Sequence, residues 1–114
     1  MSIRSYQDLL VWQKAMDLVV ECYRITTLLP KNETYGLVNQ MQRVAVSVPA
    51  NIAEGHGRDH LGDYLHHLSV ANGSRMELET HLWLLPLLVL SEIQRIGERT
   101  KSERRNRKDI FRFE

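Results

Sequence analysis

The chain has 114 residues and a mass of 13.3 kDa, 43% of it hydrophobic and 25% charged, which suits one soluble domain and leaves no room for two separate cores. Six glycines and three prolines are too few for a many-turned all-β domain, and the apolar fraction is too high for a disordered chain, so a compact helical protein is expected. The net charge of +1 is unevenly laid out: residues 1–90 hold seven Lys/Arg against nine Asp/Glu, and residues 91–114 hold eight against five, so the basic character sits in the tail.

Ser5 followed three residues later by Asp8 predicts a helix start, because the hydroxyl accepts an early backbone N–H and the carboxylate faces the positive helix end. Behind it Leu9, Trp12, Met16, Val19 and Tyr23 share one stripe of an α-helix, with Lys14, Asp17, Glu21 and Arg24 opposite. Pro30 stops it, since proline disfavours helical geometry in the preceding residue. Helix 1 is expected over about 6–28, followed by a polar loop at 31–34.

A second stripe, Leu37, Met41, Val44, Val48 and Ile52, predicts a helix over about 35–54, kinked at Pro49 and ended by Gly55 and Gly57. The third pattern is the most regular: Leu61, Tyr64, Leu68, Ala71, Arg75, Leu78, Leu82 and Leu85 alternate spacings of three and four, the seam of a helical bundle. Asp59 is its expected N-cap, Gly73 a point where another helix can come close, and Pro86 its end or kink. Helix 3 thus covers about 60–85. Ser91, Ile93 and Ile96 indicate a short fourth helix, but 97–109 holds no apolar residue and is read as a frayed or solvated basic extension.

The expected fold is therefore all-α, an antiparallel up-and-down four-helix bundle with a core at 1–90 and a weak fourth helix plus basic extension at 91–114. Trp12, Met16, Val44, Leu68, Leu78 and Leu82 are its expected interior.

No run of apolar residues reaches a bilayer span: 82–90, nine residues including Pro86, is the longest, against the roughly 20 required. No secretory leader is readable at the N-terminus, and the single cysteine, Cys22, fits a reducing cytoplasm.

Chemistry is sparse. The Glu-x-x-His pairs of a di-iron bundle are missing, and the best metal candidate, His60, Asp63 and His67 on one face of helix 3, reads better as a polar helix face than as a convergent ligand set. Glu77 and His81 read as a surface pair. Cys22 has no activating neighbour on its helix and reads as a small core residue. The Gly55-His56-Gly57-Arg58 run lacks the strand and the Lys-Ser/Thr of a phosphate loop. Arg43, Asn51, Glu54 and Arg58 form a polar run that can bind an anion, pair with helix 3 or meet another subunit; the last two roles are preferred, and Asn51, Glu54 and Arg58 are the candidate subunit interface. Arg104, Arg105, Arg107 and Lys108 are candidates for contacts to nucleic-acid phosphates, without sequence reading. No catalytic residue, metal or cofactor is expected.

Three segments carry a resemblance. Ser5-Tyr6-Gln7-Asp8-Leu9-Leu10-Val11-Trp12-Gln13-Lys14-Ala15-Met16 is the first. The second is Tyr35-Gly36-Leu37 leading through Arg43 to Val46-Ser47-Val48-Pro49-Ala50-Asn51-Ile52-Ala53-Glu54-Gly55, and the third is Gly73-Ser74 with Glu77-Leu78-Glu79-Thr80. Together they resemble the bacterial four-helix bundle family also called the 23S rRNA-intervening-sequence protein family, some of whose members are encoded inside insertions in the large-subunit ribosomal RNA gene. The resemblance implies an up-and-down four-helix bundle, a cytosolic setting and homo-oligomeric assembly into a ring, with a pentamer as its form. It extends to accessory proteins of diversity-generating retroelements, which share the bundle and bind nucleic acid and a reverse transcriptase. After Leu84, where relatives have a glycine turn and an amphipathic last helix, this chain has Pro86 and an arginine-rich tail.

The expected function is that of a non-enzymatic, self-associating bundle protein that contacts RNA as a scaffold, with a nucleic-acid-binding accessory factor as the alternative. Association follows from the pattern too, since the fourth segment offers only Leu90, Ile93 and Ile96 to cover the stripes of the other helices.

Overall fold

The computed structural model describes residues 5–29 and 35–112, with the side chains of Tyr35 and of 108–112 outside the description. Among the described residues there are three α-helices, α1 (Leu10–Thr27), α2 (Tyr35–His56) and α3 (Leu61–Arg112), one 3-10 turn at Tyr6–Asp8, and no strand. Pro30 and the expected loop at 31–34 lie outside the described residues. The chain divides into two compact units, Met1–His81 and Leu82–Glu114, and α3 belongs to both.

The N-terminal cap forms as expected. Ser5 Oγ accepts from the Gln7 amide at 3.2 Å, and Asp8 Oδ2 accepts from the Ser5 amide at 3.4 Å, a reciprocal capping box. What it caps is the single 3-10 turn. Leu9 is extended, and α1 starts one residue later. Tyr6 and Trp12 meet edge to face with ring centroids 5.3 Å apart, and Gln13 Nε2 donates to the Gln7 carbonyl at 2.9 Å, so the turn is fastened to α1 by side chains from both sides of the break. At the far end Leu28 and Leu29 donate to Ile25 and Thr26, tightening the last turn of α1 in 3-10 fashion.

The core of the first unit centres on Ala15, Val48, Ile52 and Ala71, with Leu9, Trp12 and Leu68 packed against it. The α2 stripe is the one read from the sequence: Met41, Val48 and Ile52 are buried, and Ala45 joins them. In α1 the buried line is Ala15, Cys22 and Thr26, while Met16 and Tyr23 are exposed. The burial is turned by about one residue from the stripe of large side chains. Small residues face inward because they let two helix backbones approach, and the larger side chains then pack around the edges of the contact. Of the residues expected inside, Leu78 is fully buried, Trp12, Val44, Leu68 and Leu82 are half-buried, and Met16 is 40% exposed.

The largest departure is in α3. It passes through Pro86 and continues to Arg112, so among the described residues helix 3 does not end near Leu84 and no separate helix begins at Ser91; three α-helices stand where four are expected. One proline removes one backbone hydrogen bond and crowds one turn. The Leu, Glu, Lys and Arg residues that follow favour helix, and pairs one turn apart, Glu92 with Arg95 and Arg99 with Glu103, support it locally. Pro49 is carried inside α2 in the same way. The start of α3 at Leu61 makes His60, not Asp59, the residue just before the helix.

Leu78 is 1% exposed and among the largest fully buried side chains. Its replacement by alanine is expected to cost about 2–5 kcal/mol in chemical denaturation; a loss no greater than the ~0.5 kcal/mol typical of surface positions would remove it from the core.

Candidate functional site

The polar run predicted on helix 2 becomes, with residues of helix 3, a seam between α2 and α3. Ser47, Asn51 and Glu54 are spaced four and three along α2, with Arg58 two residues past its end, and His67 and Ser74 stand seven apart on α3, so both sets line one side of their helix. Ser47 and Ser74 share a hydrogen bond between their hydroxyls across the gap. Asn51 Nδ2 donates to the Ser47 carbonyl at 2.8 Å, and since that oxygen only accepts, the amide is oriented with Oδ1 towards His67. His67 Nδ1 is then the donor to Asn51 Oδ1 at 3.2 Å, and Nε2 lies 4.0 Å from the Glu54 carboxylate. Glu54 accepts from Arg58 at 2.8 Å on the solvent side, where both side chains keep about half of their surface.

The seam is narrow because of Gly55. A Cβ at that position would lie 2.5 Å from His67 Cβ and 3.3 Å from the Tyr64 carbonyl. Gly55 does not end α2; it lies inside it, is buried, and is a place where α3 comes close. Gly73, the glycine singled out for close approach, has nothing within 4 Å of the corresponding point. Next to Gly55, His56 and Tyr64 meet edge to face with centroids 5.6 Å apart, closing the corner between the two helices.

The remaining candidates scatter. Arg43 is exposed, one turn before Ser47. His60 and Asp63 are exposed while His67 is turned into the seam, and among the described residues no three His, Cys, Asp or Glu side chains are grouped to hold an ion. The Gly55-His56-Gly57-Arg58 run is at the C-terminal end of α2, where the amides of Gly57 and Arg58 donate to Ala53 and Gly55. It therefore presents no free row of N–H groups to a phosphate. Cys22 is buried, and desolvation pushes its thiol up from the ordinary cysteine value, the opposite of what a nucleophile needs. Arg104, Arg105 and Arg107 are exposed on α3 and have no ion-pair partner among the described residues; the side chain of Lys108 lies outside them.

Two polar features were not read from the sequence. Gln42 Nε2 donates to Thr26 Oγ1 at 3.0 Å, tying α1 to α2 through a buried threonine whose hydroxyl also donates to the Tyr23 carbonyl. His81, expected at the surface, is buried. Its Nε2 is 3.9 Å from Glu77, and its Nδ1 has no hydrogen-bond partner.

These features define an all-α protein whose polar side chains bond helix to helix. The 23S rRNA-intervening sequence protein family model matches residues 7–107, and the chain belongs to that family. The match continues past Leu84, where the likeness of the quoted segments stops. No curated relative matches the chain, and no helix among the described residues is long and apolar enough to cross a membrane.

Gly55→Ala is expected to destabilise the fold by about 1–3 kcal/mol, because α2 and α3 must separate. Gly73→Ala, with open space around it, should be neutral or gain up to ~1 kcal/mol from helix propensity. Equal effects in denaturant titrations would show that Gly55 is not the close contact. His81→Leu should raise the melting temperature, since an unpartnered buried polar atom costs about 1–3 kcal/mol; a lower melting temperature would mean that Nδ1 is satisfied in solution.

Proposed function

We propose that this protein is a non-enzymatic, self-associating helical-bundle protein of the cytoplasm, in which further copies of the chain cover the apolar surface of α3. The observation that carries this reading is the apolar surface of α3 in the second unit. Trp83 is 73% exposed, Leu87 63% and Ile93 60%, amid five further exposed large apolar side chains between 83 and 96. Soluble proteins seldom leave a continuous apolar patch of this kind open, and association is its usual purpose. The non-enzymatic part is supported by the seam, where Ser47, Asn51, His67 and Ser74 use their polar atoms on each other, and by the buried thiol of Cys22. At the end of α2 the half-exposed Glu54 and Arg58, with Asn51 behind them, remain available to a neighbouring subunit. Family membership supports the same reading through the ring of five that the resemblance implies.

A second reading, an RNA-contacting scaffold or a nucleic-acid-binding accessory factor like those of diversity-generating retroelements, is favoured by one observation. Arg104, Arg105 and Arg107 are exposed within one helical stretch, and Lys108 follows them. Such a stretch attracts phosphates through counterion release and reads no bases.

Light scattering across micromolar concentrations is expected to give a mass above 13.3 kDa; a single-chain mass throughout would overturn self-association. Retention on heparin or structured RNA that falls steeply with salt, and that disappears when Arg104, Arg105 and Arg107 are replaced by glutamine, is expected if the basic stretch binds nucleic acid. Flow-through at low salt would remove the second reading.

A further inference from the structure

We propose that the outer turns of α3 lie along the phosphate backbone of a double-stranded nucleic acid through one side of the helix, the row Lys101, Arg104, Arg105 and Lys108. The proposal rests on the nucleic-acid reading above and gives it a side, a number of contacts and a class of ligand. Steps of three and four residues bring these positions onto one side of α3, and Arg112 continues the row one turn further on. Lys101, Arg104 and Arg105 are exposed and have no ion-pair partner among the described residues. Most of the nearby acid is placed elsewhere. Glu92, Arg95, Arg99 and Glu103 fall on the opposite side of the helix, where Glu92 pairs with Arg95 and Arg99 pairs with Glu103. Glu98 and Asp109 stand at the two ends of the row. These turns of α3 therefore have one side that neutralises itself and one that is basic.

Charge spacing and composition select the ligand. From Lys101 to Lys108 the row spans about 10 Å of helix. Over about that length a duplex presents about six phosphate charges, twice what one of its strands offers, so each cation of the row finds a phosphate. The forked guanidinium groups of Arg104 and Arg105 suit phosphate oxygens in particular. Proteins that hold single strands add aromatic side chains on which the bases stack; between Trp83 and Phe111 this chain has no aromatic residue, and from 97 to 109 it has no apolar one. The same lack disfavours an acidic protein as the ligand, since protein interfaces are anchored by buried aromatic and apolar groups. The ion pairs on the far side support these turns as helix in the free chain, so the row is in place before a phosphate arrives and little ordering is left to be done on binding.

The test uses the full chain and follows binding by fluorescence anisotropy as salt is raised. The probes are a short blunt RNA duplex, the DNA duplex of the same sequence, one strand of each alone, and poly-glutamate. Both duplexes are expected to bind more tightly than either strand, because phosphates are common to the two. The logarithm of the duplex association constant should fall by about 0.9 per cation of the row for each tenfold rise in salt. Lys101→Gln and Arg105→Gln are each expected to lower that slope by about a quarter and to weaken duplex binding about five- to tenfold near ~0.1 M salt. Arg99→Gln removes the same charge from the opposite side and should leave the slope unchanged. Circular dichroism of each variant separates loss of helix from loss of contact. Arg99→Gln as damaging as Lys101→Gln, a strand bound as tightly as its duplex, or binding confined to RNA or to DNA overturns this assignment and leaves the nucleic-acid reading standing. Poly-glutamate bound as tightly as the duplexes, or no nucleic acid bound at low salt, overturns both.

Discussion

The backbone of α2 at Gly55 and the Cβ of His67 in α3 approach so closely that no side chain fits between them, and the arrangement of the first unit follows from that contact. With the two helices this near, short polar side chains can span the gap: the Ser47 and Ser74 hydroxyls touch, and Asn51 reaches both the Ser47 carbonyl and His67. A wider spacing would leave these half-buried groups without partners, which is costlier than having no polar groups there at all. The glycine and the polar seam therefore depend on each other. Their joint effect is to fix the rotation of α3 about its axis, so that Ala71 and Leu78 face inward.

The apolar half of the same unit is built on small residues. Ala15, Ala45 and Ala71 are buried, and the large side chains beside them fill the space left around the contacts. Such a core depends on close backbone approach more than on the bulk of any one side chain, and it tolerates polar atoms only when they are tied down, as Thr26 is by Gln42 and Tyr23. His81 is the exception, a buried ring with one nitrogen unpartnered.

Much of this was legible in the sequence. Apolar spacing located α2 and its inward side, the Ser5 and Asp8 pair marked the start, and the polar run through Asn51, Glu54 and Arg58 contained three residues of the seam. The α1 stripe was misplaced by one residue because hydrophobicity favours Met16 and Tyr23, whereas packing selects Ala15 and Cys22. Gly55 was read as a stop because glycine near a run's end usually is one; its contact with His67 lies in another helix and leaves no local trace. Pro86 misled for a related reason. Proline reports what one turn loses, but whether the helix resumes depends on the residues beyond it, and those from 87 to 108 include many good helix formers.

The distribution of charge along α3 bears on how its two halves hold their shape. Asp63 occupies the first turn, so its carboxylate sits by the positive pole of the helix, and the Arg-rich stretch lies towards the other end. From 97 to 107 every residue is exposed, so in a lone chain those turns are kept by local forces while the turns around Ala71 and Leu78 are kept by burial. The two kinds of support differ in cooperativity. Backbone amides near 100 open by fraying a few residues at a time and are sensitive to ionic strength, whereas those near Ala71 exchange with solvent only when the surrounding helices come apart together. A single continuous helix thus contains two regimes of local unfolding, and any partner that settles on the outer half converts the first regime into the second.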